Sequence, residues 1–474
     1  MRCDAFASFL YFLPTLLLSA PLGAIAAPPQ PAEPAAATVA PPAALPSLRL
    51  TEALAYALQH QPSLQAAQAR IEVAKRAAWA VRSEWLPQVG ATAQAFYGTM
   101  NNSTATFLGV RTVDLPRIGG SRSDGSWSDA YPSTIVGVGL RQNIYDFGRL
   151  AALAVAADAE TVVSRHRANA EALDVALQVE AMFYAVLAAK AVASAAEDAY
   201  KRATLRSNMV KASVDRGLRP PIDLTRAEAD LTRFDVGRTR ARGGIETAQA
   251  LFAGAVGVPE PLLDAAGEAE AAGPLPALGE ALEQAMLRDP SLMAAMARLA
   301  EQQAITRAIG RQWAPNLSFT ASVNGRAGGA PLSGGPSGYS GWLPAVPNWD
   351  LGLVLQVPLF DGVLLARRQQ SQATEEVLKH EINATRRRLL ADIQRAYTAF
   401  RIAEATLPAL VAAATAAQRN YEQANARFRA GLSTSVELAD AEALRTDAEI
   451  QLAVGRFDVS RARAAFNRGI ALGL

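Results

Sequence analysis

From Gly148 to Arg216 the chain runs without a proline, and a strand-like segment leads straight into that run. In "RQNIYDFGRLAAL" the alternation ends at Tyr145-Asp146-Phe147-Gly148, and Ala-rich helical spacing begins at Arg149. At 1.5 Å of rise per residue, roughly 70 helical residues reach about 100 Å, far longer than an ordinary domain core. Composition agrees: half of the residues are hydrophobic but only 7% are aromatic, and much of the apolar share is Ala. Alanine favours helix and is too small to fill a thick core, so long, closely packed helices are expected.

The chain also contains its own plan twice. "LTEALAYALQHQPSLQAAQARI" from Leu50 matches "LGEALEQAMLRDPSLMAAMARL" from Leu278, in a register that holds to Trp85-Leu86-Pro87 against Trp313-Ala314-Pro315. Farther on Gly148 pairs with Gly362, Arg216-Gly217-Leu218 with Ala430-Gly431-Leu432, and Asp223-Leu224 with Glu437-Leu438. Each half therefore reads as a moderate helix ending at Trp-x-Pro, a strand pair, a very long helix, a tight tip and a returning helix. The pre-proline residue disfavours the α conformation, which places the first stop.

The strand pairs carry period-two patterning. Leu317, Phe319, Ala321 and Val323 alternate with polar residues, and Leu351, Leu353, Leu355 and Val357 continue one apolar face. Val136, Val138 and Leu140 do the same in the first half, with a weaker Ala-built strand over Val89 to Tyr97. Stretches rich in Gly, Ser and Asn, Thr99 to Ser133 and Arg326 to Pro347, join the partners and are long for hairpins, as extracellular barrel loops are. In the second long helix Leu389, Ile393, Ala396, Phe400, Ala403, Leu407 and Leu410 form a coiled-coil seam, and Pro408 predicts a kink or break within it. Gly217 and Gly431 read as C-caps; Pro221, and Thr434 with Glu437 as a capping box, restart the chain.

The N-terminus reads as a secretory signal over residues 1–26, with Arg2, an apolar run from Phe9 to Leu18 and Ala24-Ile25-Ala26 at the cleavage site. Cys3 is the single cysteine and lies inside that signal, so no disulfide or lipidated cysteine is expected in the mature chain. Residues 27–47 form a Pro/Ala-rich linker, 48–257 the first repeat, 258–277 an inter-repeat linker and 278–474 the second repeat. No transmembrane helix is expected after the signal, which leaves a barrel open.

Charge excludes little beyond nucleic acid: 46 basic and 44 acidic residues balance to +2, and Arg386-Arg387-Arg388 reads as a solvated helix face. His60, His166 and His380 are scattered, so no metal or other cofactor is expected. No nucleophile elbow, phosphate loop or Ser/His/Asp order is present, and no enzyme is expected. Two hairpins supply four strands, too few to close a barrel, and an open edge cannot face lipid, so several chains must contribute.

The order of elements, the "IYDFG" and "PLFDG" strand-to-helix junctions and the two "GL…[DE]L…AE" tips resemble the TolC-type outer-membrane efflux and secretion channels over nearly all of the mature chain. The resemblance implies an internally duplicated α+β membrane protein. It would be a homotrimer, with two hairpins per chain making a 12-stranded transmembrane β-barrel and an α-helical coiled-coil barrel continuing across the periplasm. It implies a passive duct for type I protein secretion or small-molecule efflux, working with a periplasmic adaptor and an inner-membrane ABC or proton-driven transporter.

On that resemblance Glu437 and Asp440 match acids that ring the periplasmic entrance, and Asp223 matches an acidic position in the first repeat. Read from the residues alone, acids in a first helical turn complement the dipole and cap the helix. Arg216, Gly217, Leu218 and Arg219, with Gly431, Leu432 and Ser433, form the tips where the family meets its adaptor. Ser433 stands where the family's tip carries an arginine, so the latch made by that arginine is not expected. The competing reading is a periplasmic coiled-coil adaptor or scaffold without a pore, which the two hairpins disfavour.

Overall fold

The structure, a computed structural model, describes residues 45–99, 128, 130–267, 275–328 and 348–472. The segment read as a signal, most of the segment read as a linker after it and most of both long loops lie outside the described residues.

A short strand β1 (Ser47–Leu48) leads into α1 (Leu50–His60), α2 (Pro62–Ser83), β2 (Gln88–Thr99), β3 (Ala130–Tyr145), the long α3 (Arg149–Asp215) and the returning α4 (Pro221–Val256). After β4 (Asp264–Ala265) the plan repeats as α5 (Leu278–Arg288), α6 (Pro290–Gly310), β5 (Asn316–Gly328), β6 (Asn348–Gln356), α7 (Gly362–Arg429) and α8 (Ser435–Gly469). At 67 and 68 residues, α3 and α7 each extend about 100 Å.

Three departures from the sequence reading have local causes. The single moderate helix expected in each half is two, because Pro62 and Pro290 occupy first-turn positions and force Gln61 and Asp289 into extended backbone. Pro408 does not break α7, which runs through it; Glu404 and Pro408 are exposed, so water can take the carbonyl that proline leaves unbonded. Stretches of α3 and α7 are long and apolar enough to cross a membrane by composition, contrary to expectation, because alanine raises hydropathy without bulk.

Inside the fold α3 is the central post. Near the sheet it packs along α2 and α6, and farther away along α4 and α8, while α7 packs along α6 and then α8. The expected seam of α7 lies on its packed side, with Leu389, Ile393 and Phe400 buried. One core gathers Phe183 and Phe252 with α1, and β1 pairs in parallel with β4, so the two segments read as linkers are stitched together. A second core joins α5, the middle of α7 and the end of α8 around Ile393 and Phe466. A third, of Val210, Ala227, Phe428, Leu438 and Ala441, ties the two tips to each other.

Candidate functional site

The sheet has the order β2-β3-β5-β6, antiparallel throughout, with β2 and β6 as open edges. Its register aligns Val89, Leu140, Ala321 and Leu351 on one face, with Val138, Val323 and Trp349 one step along. The neighbouring positions Gly139, Ser322 and Asp350 fall on the other face.

Burial runs opposite to that of a water-soluble sheet. Trp349 is 74% exposed and Leu351 64%, whereas Ser318 and Asn324 are each only 2% exposed. Two side-chain hydrogen bonds run along the polar face: Ser322 donates to Asp350 (2.6 Å), and the Asn324 amide donates to Ser322 (3.1 Å). An exposed apolar face backed by a hydrogen-bonded polar one is what a strand needs with lipid outside and water inside. Tyr97 is also exposed, as an interfacial aromatic would be.

At the first strand-to-helix junction Phe147 takes a left-handed φ of 53° and Gly148 one of 87°. Buried Asp146 accepts from the Gly148 and Leu150 amides (3.0 and 2.6 Å), and Arg311 donates to the Phe147 carbonyl (2.5 Å). A Cβ on Gly148 would lie 2.8 Å from the Arg311 guanidinium, which would have to swing aside, and it is the left-handed φ that favours glycine here. Strand thus passes into helix without a flexible loop. At the second junction Asp361 caps α7 through the Val363 and Leu364 amides.

Both long helices end as the sequence predicts. At each tip the glycine amide bonds a carbonyl three residues back and the following leucine amide one five back: Gly217 to Val214 and Leu218 to Ser213, Gly431 to Phe428 and Leu432 to Arg427. Arg216 caps α3, Leu218 and Leu432 are more than 70% exposed, and the buried Ser433 hydroxyl has no hydrogen-bond partner.

The three acids expected at a gate occupy two kinds of place. Asp223 is turned between the tips, where it accepts from Ser435 (2.9 Å) and pairs with Arg219 (3.6 Å). Arg219 in turn stacks 4.0 Å over Phe428, so one arginine and one aspartate join the two tips. Glu437 and Asp440 are exposed on α8; the Glu437 amide donates to the Thr434 hydroxyl, and the Glu437 carboxylate lies 3.6 Å from Arg427. The serine at 435, not 433, makes the cross-tip bond, a choice that spacing alone could not reveal.

Two groups on α3 escaped the sequence reading. Arg202 reaches Glu442 (2.6 Å) and Glu449 (3.5 Å) on α8, and Arg445 closes the cluster on Glu449 (2.9 Å). Nearer the sheet the carboxyl of Glu160 on α3 faces that of Glu301 on α6. Burial first, then that neighbour, push the Glu301 carboxyl up to about 7 against the opposing pull of Arg298 and Arg167.

An acid whose folded pKa is raised gives its full stability below the unfolded value and loses it as pH climbs through the folded one. The α3–α6 seam should therefore weaken between about pH 4.5 and 7. Protection factors of the α6 amides, corrected for the intrinsic rise of exchange with pH, should fall over that window in the native protein and stay flat in Glu301→Gln. Equal pH profiles would show that the pair does not share a proton.

Comparison with known proteins agrees with this geometry. The sequence profile of the family described as outer membrane efflux protein matches residues 53–258 and 281–469. Protein CyaE of Bordetella pertussis (strain Tohama I) is 28% identical over 427 residues, covering 87% of this chain and 82% of that one. Among solved structures, the Campylobacter jejuni CmeC outer membrane channel aligns with a TM-score of 0.73 at 15% identity, over 90% of this chain and 86% of that one. The open state of the Neisseria gonorrhoeae MtrE outer membrane channel aligns at 0.67 and 21%, over 89% of each chain. With the profile spanning both halves, and a sheet with an exposed apolar face fused to long helices, the chain belongs to the outer membrane efflux protein family and is an efflux or secretion channel of the outer membrane.

Proposed function

We propose that three copies of this chain close their four-stranded sheets into one 12-stranded barrel, continued by the α3 and α7 layers as a tunnel across the periplasm. The observation that carries this reading is the sheet whose apolar face is exposed and whose polar face is covered, with two free edges that lipid cannot accommodate. Closure by further copies removes those edges. Family membership supports a trimer that works with a periplasmic adaptor and an inner-membrane transporter, and the duct is passive, for type I protein secretion or small-molecule efflux.

At the far end Glu437 and Asp440 would form rings of acids, six per trimer, that favour cations and narrow the entrance. Asp223 has a different part: through Ser435 and Arg219 it holds the two tips of one chain together, a resting clamp that replaces the latch Ser433 cannot make. The exposed Leu218 and Leu432, flanked by Arg216, Gly217, Arg219, Gly431 and Ser433, supply the surface for the adaptor.

Single-channel recording in a planar bilayer tests the duct and its gate together. The purified protein should give a cation-selective pore, and Glu437→Gln/Asp440→Asn should lower that selectivity severalfold without loss of assembly. Folded trimers without conductance would overturn the duct, and unchanged selectivity would leave both acids as helix-capping charges.

A further inference from the structure

Resting on the trimer reading, we infer that Val73 of one copy seats against Thr374 and Val377 of the next, making an apolar seam between chains where the two halves of one chain meet through carboxylates. The duplication makes the argument. Within a chain α3 of the first half lies along α6 of the second, with Glu160 against Glu301 and Val163 fully buried beside them. In the register set by Trp85 with Trp313 and Gly148 with Gly362, Glu301 corresponds to Val73, Glu160 to Thr374 and Val163 to Val377.

The corresponding helices, α2 and α7, are the outer flanks of the chain near the sheet. Buried Ala67, Ala74 and Ala78 turn α2 toward α3, and Gln302 and Thr306 hold α7 to α6 through Ser371. Among the exposed ion pairs Glu72–Lys75 and Glu376–Lys379, two valines face outward: Val73 is 69% exposed and Val377 55%, at positions whose counterparts Glu301 and Val163 are half-buried and fully buried.

A second copy is the occupant that the repeat supplies, because α2 relates to α7 as α6 relates to α3. The two seams also differ consistently lower down. Arg202, which pairs Glu442 inside the chain, corresponds to Ala416 on α7, and Glu442 corresponds to Glu228 on α4. At these positions the contacts within a chain set a carboxylate against a second carboxylate or an arginine, whereas the corresponding ones between chains lack the arginine and gain a valine pair. The folded chain can then form first and its apolar flanks drive association, since apolar area withdrawn from water is favourable without needing a partner charge.

Cysteine cross-linking tests the seam, because the only native cysteine, Cys3, lies in the signal segment. Val73→Cys/Thr374→Cys and Val73→Cys/Val377→Cys should yield denaturant-resistant dimers and trimers on oxidation or with a short bismaleimide. Co-expressed single-cysteine chains should stop at dimers. Native trimers that cross-link through neither pair would overturn the seam while leaving the trimer intact. A purified folded monomer would overturn both. If oxidation traps misfolded chains, Val73→Asp gives the second readout: trimers should dissociate at lower detergent or denaturant concentration, and unchanged trimer stability would sink the seam.

Discussion

Leu351→Lys is expected to remove most of the protein from the outer membrane. Leu351 sits midway along the sheet opposite Ala321, 64% exposed on the apolar face. A lysine there would face hydrocarbon at a cost of roughly 2–4 kcal/mol in each chain. Three chains share one barrel in the proposed trimer, and each 1.4 kcal/mol is tenfold, so assembled trimers should fall by more than about tenfold. The reciprocal change, Thr320→Glu, falls on the polar face beside Arg141 and should assemble like the native chain. Immunodetection of heat-sensitive trimers in outer-membrane fractions reads both. Native levels of the lysine variant would mean that this face does not meet lipid, and loss of the glutamate variant would mean that the other face is not wet.

The contrast between those two substitutions was legible in the sequence, because period-two alternation depends only on neighbouring residues. The tips were legible for the same reason: Gly217 and Gly431 take φ of 70° and 75°, as a glycine after a long helix foretells. The split of each first helix at Pro62 and Pro290 was equally local and still went unread, since a proline is compatible with the first turn of a helix as well as with its end. What could not be read is the pairing across helices. Arg202 is one of many arginines on α3 and α4, and only the relative rotation of α3 and α8 selects Glu442 and Glu449 for it. The cross-tip bond is similar, because Ser433, Thr434 and Ser435 all offer hydroxyls and the turn geometry decides which of them meets Asp223. Local periodicity therefore delivers the strands, the long helices and their tips, and long-range packing delivers the fastenings between the two halves of the chain.

Arg202→Ala tests the strongest of those fastenings. Glu442 is 3% exposed and its carboxylate has Arg202 at 2.6 Å, so truncating the arginine leaves a buried charge without its counterion. Breaking a buried pair in this way costs about 3–5 kcal/mol, much more than a surface pair. The variant should unfold at clearly lower denaturant concentration than the native protein. Replacing both partners, as Arg202→Met/Glu442→Met, removes the stranded charge and should restore most of the loss. The pair also bridges α3 of the first half and α8 of the second. If opening proceeds by α7 and α8 swinging away from α3 and α4, Arg202→Ala should in addition raise the open probability of the pore, as should Asp223→Ala at the clamp below it. A variant that loses less than about 1 kcal/mol would show that Glu442 finds water or another cation when Arg202 is gone. Lost stability with unchanged open probability would make the arginine a fastening of the wall alone, with opening confined to the tips.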